Sequence, residues 1–353
     1  MTTLDLDRRI GSDGSEPEEV MAQDPARHRP KMYPPPEFPP RQVPLFANTP
    51  PAIFPPILGL LGLAMALRVG SRMLGLGPEL ADLASGLVLP LWVFAACIYG
   101  VKMIRRISVI NDDLKVMPSR SALAAGTLGG MVAAAHLALF SATAGLWLMG
   151  AMLILHAVLV GLTVLTLVRL PPEGRAVNPG WHMTFVGFIV AAPAAVATGQ
   201  EDLARMLFYA TLPVALAIWA ASLWQLSRRI PPAPLRPMLA IHLAPASLLS
   251  ISASLTGLDL PAMILAWVAL MIVLALAASM RWITAAGFSP LWGAFTFPLA
   301  AASTALMLQG AALGWAGLAL LALGLVAIPW IALRILKLWP GGRLAAKTNA
   351  AEA

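Results

Sequence analysis

Few residues in this sequence are placed to do chemistry, and their arrangement excludes most reactions. Five histidines, His28, His136, His156, His182 and His242, do not fall at metal-ligand spacing. His28 lies in a polar tail and His182 at the edge of an apolar run. His136, His156 and His242 sit on three separate runs, where each is expected to be a hydrogen-bonded packing residue. There is no nucleophile elbow, phosphate loop or paired-carboxylate site, so neither an enzyme nor a cofactor is expected. No aspartate or glutamate lies well inside an apolar run. A charge at a bilayer centre costs at least about 2.5–3.5 kcal/mol and is kept only for use, so this absence argues against a cation channel or a carboxylate-driven pump. What remains is the stretch "LWGAFTFPLAAAS", residues 291–303. It puts Phe295, Phe297 and Pro298 at the centre of a membrane-length segment, then runs into alanines and hydroxyls. Such a segment suits either a kinked core helix or a plugged pore, in which the chemistry is passage rather than bond making.

Composition sets the surroundings of that stretch. Of 353 residues, 59% are hydrophobic and 12% charged, and the mean hydropathy is +0.78. Soluble domains carry about 25% charged residues, so this is a membrane protein. Residues 1–50 differ. They hold Asp5, Asp7, Asp13, Glu16, Glu18, Glu19, Asp24 and Glu37, and end in "MYPPPEFPPRQVP". That composition cannot bury enough apolar surface to offset ordering entropy, and it predicts a disordered, proline-rich cytoplasmic tail. The rest divides into a transmembrane domain over 51–338 and a short cytoplasmic tail over 339–353. Cys97 sits in an apolar run and is expected to pack as a small hydrophobe.

A helix crosses a bilayer with roughly 17–25 apolar residues. Ten segments qualify, near 52–69, 80–101, 122–141, 145–169, 183–199, 203–226, 238–256, 261–280, 290–309 and 313–336. With both termini cytoplasmic, all but Arg68, Arg72 and Arg205 of the 24 lysines and arginines fall on the inner side, as the positive-inside rule requires. The basic excess is therefore topological, and nucleic acid is not an expected partner. The spans pair into five hairpins with outer turns near 70–79, 141–145, 199–203, 256–261 and 309–313. This permits an all-α bundle of five hairpins around an axis.

The odd spans carry Gly126, Thr127, Gly129 and Gly130, then Ser247, Ser250, Ser252 and Ser254, then Thr296, Ser303 and Thr304. Small and hydroxyl residues allow close helix packing, and they also suit a neutral anion path. Prolines recur at Pro55, Pro56, Pro193, Pro245 and Pro298 in odd spans, where they kink helices and turn partial positive helix ends inward. Pro90, Pro213 and Pro329 lie in even spans, so proline alone does not mark a pore wall.

The run Gly293-Ala294-Phe295-Thr296-Phe297-Pro298 resembles the ninth helix of the tellurite-resistance/dicarboxylate transporter family, which includes TehA-like bacterial proteins, the yeast malate permease and the plant guard-cell slow anion channels. "NPGWHMTFVGFIVAAPAA" (178–195) resembles the start of that family's fifth helix and "LAIHLAPASLLSISAS" (239–254) its seventh. The resemblance covers about residues 178–309 closely and the earlier "FPPILGLLGLA" more loosely. It implies ten transmembrane helices as five hairpins in quasi-fivefold arrangement around a central pore, odd helices inside, usually as a homotrimer in a bacterial-type inner membrane. It implies passage of small inorganic anions and of organic acids such as malate, with tellurite resistance as an accompanying trait. Phe297 becomes the pore-blocking gate, Pro298 the residue that aims it, and Phe295, roughly 200° away around the helix, a packing residue beside Thr296. Pro56, Gly59, Gly126, Gly130, Pro193, Pro245 and Ser247 are the candidates for the pore lining. Two alternatives remain: a proton-coupled anion carrier working through His136, His156 or His242, and a non-transporting membrane sensor whose tail recruits a partner.

Overall fold

The computed structural model describes residues 44–353. The proline-rich tail expected over 1–50 therefore lies outside the described residues except for 44–50, where Ala47 and Thr49 are buried. Among the described residues there is no strand, and nine helices are long and apolar enough to cross a membrane. In chain order they are α1 (Pro51–Met73), α2 (Glu79–Arg105), α3 (Met117–Ala138) and α4 (Ala142–Arg169). After a shorter apolar helix, α5 (His182–Ala197), come α6 (Glu201–Arg228), α7 (Ala233–Leu255), α8 (Asp259–Ala278), α9 (Pro290–Leu308) and α10 (Ala311–Leu336). The protein is thus an all-helical, multi-pass membrane protein. α5 occupies the place of the fifth expected span.

Burial alternates along the chain. In the most apolar 18 residues of α1, α3, α7 and α9, 72, 72, 78 and 67% are buried, against 33, 22, 28, 22 and 33% in α2, α4, α6, α8 and α10. The reason lies in side-chain size. The buried helices present alanine and glycine to their neighbours, as at Ala122–Ala125 and Ala300–Ala302, while α2, α4 and α8 turn out residues such as Leu87, Leu165 and Met271. Small residues let backbones approach, and dispersion and hydrogen bonds hold helices together where lipid supplies no hydrophobic drive. α1 packs on α3, α3 on α5, α5 on α7, α7 on α9 and α9 back on α1, so the buried helices close on themselves. Each also packs on the helix that follows it in sequence.

Hydroxyls fasten the two sets. Ser250 donates to the Ala262 carbonyl of α8 (2.8 Å), Ser252 to Ala204 of α6 (3.4 Å) and Ser303 to Gly317 of α10 (2.8 Å). The turns between paired helices are tight. Gly199 and Gly257, with φ of 75° and 74°, end α5 and α7 in the left-handed conformation that glycine adopts without penalty. The next residue then donates back five positions, Gln200 to Ala195 and Leu258 to Ala253, a Schellman closure.

Three buried helices are irregular. α5 runs as a π turn (His182–Val186), a 3₁₀ turn (Gly187–Ala191) and one α-helical stretch (Ala192–Ala197). α7 and α9 begin as 3₁₀ helix and become α-helical only at Leu243 and Thr296. Pro193, Pro245 and Pro298 sit at the second or third residue of these regular halves, where a missing N–H is tolerated. Cys97 departs from expectation: it is exposed on the outer side of α2 rather than packed, because the apolar run containing it faces outward.

Both ends of the described chain meet on one face, hereafter the tail face, where the Ala353 amide donates to Ala47 O at 3.2 Å. The opposite face, carrying the tight turns, is the turn face. On the tail face, residues 339–353 fold back and include a helical turn, Arg343–Thr348, with Leu344 fully buried. Their anchor is a fully buried ion pair. Lys102 Nζ, 0% exposed, donates to Asp113 Oδ2 at 3.0 Å and to Thr49 O at 2.9 Å. Asp113 also accepts from Tyr99 Oη (2.9 Å) and from the Ala351 amide (2.8 Å). Removing one partner of such a pair strands the other charge, at a cost of about 3–5 kcal/mol, whereas removing both is often neutral. Lys102→Met is therefore expected to lower the melting temperature in detergent sharply, and Lys102→Met with Asp113→Leu to recover most of the loss. A double variant no more stable than the single one would show that the pair is not what holds these segments.

Candidate functional site

Two cavities lie within the ring of buried helices, one towards each face. The tail-face cavity, about 60 Å³, takes Leu58 from α1, Ser121 from α3, Met183 from α5, Ile241 from α7 and Ala294 from α9, together with Thr348 from the folded-back segment. The turn-face cavity, about 230 Å³, takes Gly62, Val132, Pro193, Ile251 and Thr304 from the same five helices. Among the described residues, Phe297 alone borders both. It is 5% exposed and also borders a water-sized pocket of about 10 Å³ with Pro245 and His182.

The sequence positions Phe297 through three neighbours. The 3₁₀ half of α9 ends at Phe295, so Phe297 falls in the first turn of the regular half, directly before Pro298. Thr296 is fully buried and donates to Gly293 O at 2.7 Å, with Pro55 O at 3.2 Å, tying that turn to α1. Gly62 of α1 supplies the space for the ring: a Cβ there would lie 2.9 Å from Phe297 Cδ2. Phe295 points elsewhere and stacks edge-on against Trp292 at 5.8 Å.

Of the other candidates, Pro193 borders the turn-face cavity and Pro245 the small pocket beside Phe297. Pro56, Gly59, Gly126, Gly130 and Ser247 line neither of the two cavities within the ring. Pro56 packs beside Gly293, and a Cβ at Gly59 would strike Thr296 at 2.3 Å. Gly126 lies against the Phe54 ring and Gly130 against Met152 and Trp92. Ser247 donates to Leu243 O in its own helix. These small residues serve helix approach; among the hydroxyls of the buried helices, Ser119 and Ser121 border the tail-face cavity and Thr304 the turn-face cavity.

The histidines resolve in the same way. His136 bridges Ser85 (2.9 Å) and Leu61 O (3.0 Å), and His156 bridges Thr127 (2.8 Å) and Thr184 O (2.9 Å). His182, the first residue of α5, is 3% exposed, and its Nε2 meets His242 Nδ1 at 3.0 Å. Among the described residues no cluster is able to hold a metal ion. Among the described residues, no acid lines either cavity of the ring. Gly62 and the His182–His242 contact escaped sequence reading, since both depend on which helices become neighbours.

The described residues thus form a closed ring of buried helices, cased by more exposed apolar ones, with two cavities that Phe297 borders on both sides. The family model described as voltage-dependent anion channel (SLAC1) matches residues 48–336, and the chain belongs to that family of anion channels and transporters. No curated protein matches the chain.

The contact between Gly62 and Phe297 is directly testable. Gly62→Ala should force the ring aside and raise anion current several-fold over wild type in a planar bilayer. Gly59→Ala, which collides with Thr296 instead, should lower thermal stability. Wild-type current in well-folded Gly62→Ala would mean that this contact does not hold the ring.

Proposed function

We propose that this protein is a passive anion channel in which ten helical segments, α5 included, form five hairpins in quasi-fivefold arrangement around a pore, and Phe297 is the gate. What carries the reading is that, among the described residues, Phe297 alone borders both cavities while all five buried helices contribute to both. Supporting it, neither cavity is lined by an acid, and hydroxyl, apolar and arginine side chains make walls an anion can pass. The conducted species are small inorganic anions and C4-dicarboxylates such as malate, and tellurite resistance, where it occurs, is a consequence of anion movement. In this reading the tail face is cytoplasmic, which the lysine and arginine bias supports, and the membrane is a bacterial-type inner membrane. The lipid-facing helices provide the surface for a homotrimer with one pore per subunit.

A carrier driven by protons needs a titrating group on the path. His136 and His156 are held between hydroxyls and carbonyls, whereas His182, hydrogen-bonded to His242, lines the small pocket that Phe297 borders and is the candidate favoured by position.

Wild type and Phe297→Ala, purified and compared in planar bilayers with chloride, nitrate and malate in turn, separate these ideas. The variant should conduct at least about tenfold more, equivalent to roughly 1.4 kcal/mol off the barrier. Equal currents would remove the gate. Uptake into liposomes that follows a pH gradient and is lost in His182→Gln would replace the channel with a carrier.

A further inference from the structure

The turn-face cavity is almost wholly apolar, with three polar side chains in its lining: Arg68, Arg72 and Thr304. Thr304 uses its proton on Ala300 O at 3.1 Å, so the guanidiniums are the side-chain donors left to a guest. They stand four residues apart on α1 and so share one face of it, where like charges repel. The repulsion is only partly relieved. Asp82 of α2 pairs with Arg68 Nη2 but is not part of the cavity lining. Arg72 is exposed, and no acid among the described residues pairs with it. Arg68 is 9% exposed, and its Nε–H is enclosed without a protein acceptor. The three groups sum to one uncompensated positive charge beside an apolar chamber that ends on Phe297.

We infer that the turn-face cavity is an anion-loading site, in which Arg68 and Arg72 hold one monovalent oxyanion or monocarboxylate before it meets Phe297. The planar guanidinium fork matches such groups, and apolar walls strengthen the attraction relative to water. The volume is several times the roughly 30 Å³ share of a water molecule, enough for an anion that keeps part of its hydration shell. One net positive charge selects a single negative charge over a dianion. The inference deepens the channel reading by naming where and in what charge state the substrate waits, but binding does not require conduction.

Chloride NMR line broadening by the purified full-length protein, displaced by nitrate or malate, measures the site without any current. Arg72→Gln should raise the nitrate concentration needed for displacement by about tenfold, and Arg72→Lys should restore part of the affinity. Arg205→Gln, which removes a turn-face arginine that does not line the cavity, should change nothing. Because Arg68 is buried, Arg68→Gln is made together with Asp82→Asn so that no charge is stranded, and it too should weaken binding. Unchanged displacement in Arg72→Gln and in the paired variant, an equal effect of Arg205→Gln, or malate binding tighter than nitrate would each overturn the site. Weakened binding with no current in Phe297→Ala would keep the site and discard the gate, and a conducting Phe297→Ala with unchanged binding would do the reverse.

Discussion

Inside a bilayer, backbone amides and carbonyls must find partners within the protein, and irregular backbone survives only where protein or a watery cavity covers it. The architecture follows from that constraint. α5, α7 and α9 mix π, 3₁₀ and α geometry, which would be untenable facing lipid. They exist because α4, α6, α8 and α10 stand outside them and because serine hydroxyls of α7 and α9 reach carbonyls of the outer set. The irregular halves in turn decide where the regular halves begin, and in α9 that point is Thr296. Phe297 projects into the ring because it falls at this junction.

Much of the fold was legible in the sequence. Segments of membrane length, their short turns and the placement of nearly all lysines and arginines on one side are properties of composition, and the helices lie where composition puts them. The resemblance carried by residues 178–309 also implied which helices would be buried, the odd ones, as the burial along the chain bears out. Detail within the site was less legible. Proline was read as a kink, whereas Pro193, Pro245 and Pro298 open regular helices. Serine and glycine at Gly59, Gly126, Gly130 and Ser247 were read as wall but serve packing. Both errors have one cause: the sequence places a residue on an odd span, but the rotation of that span about its own axis is set by neighbours distant in the chain. Gly62 differs from Gly59 by three residues and faces the Phe297 ring, while Gly59 faces Thr296.

The tail face shows a second use of buried charge. Lys102 and Asp113 are 0% exposed and join α2, the short helix Val109–Lys115, the segment before α1 and the end of the described chain through four hydrogen bonds. Sequence reading treated Lys102 as one more topological lysine. Its burial makes it a clasp instead, and the same folded-back segment brings Thr348 to the rim of the tail-face cavity.

The two cavities are unequal in a way that bears on direction. One is about 230 Å³ and carries two guanidiniums, while the other is about 60 Å³ and has no charged side chain in its lining. A charged, low-dielectric mouth concentrates counter-ions, and a neutral, narrow one does not. Under the channel reading proposed above, two such mouths in series make the conduit a rectifier: with the phenylalanine drawn aside, its resistance to anions arriving at the turn face is lower than to those arriving at the tail face.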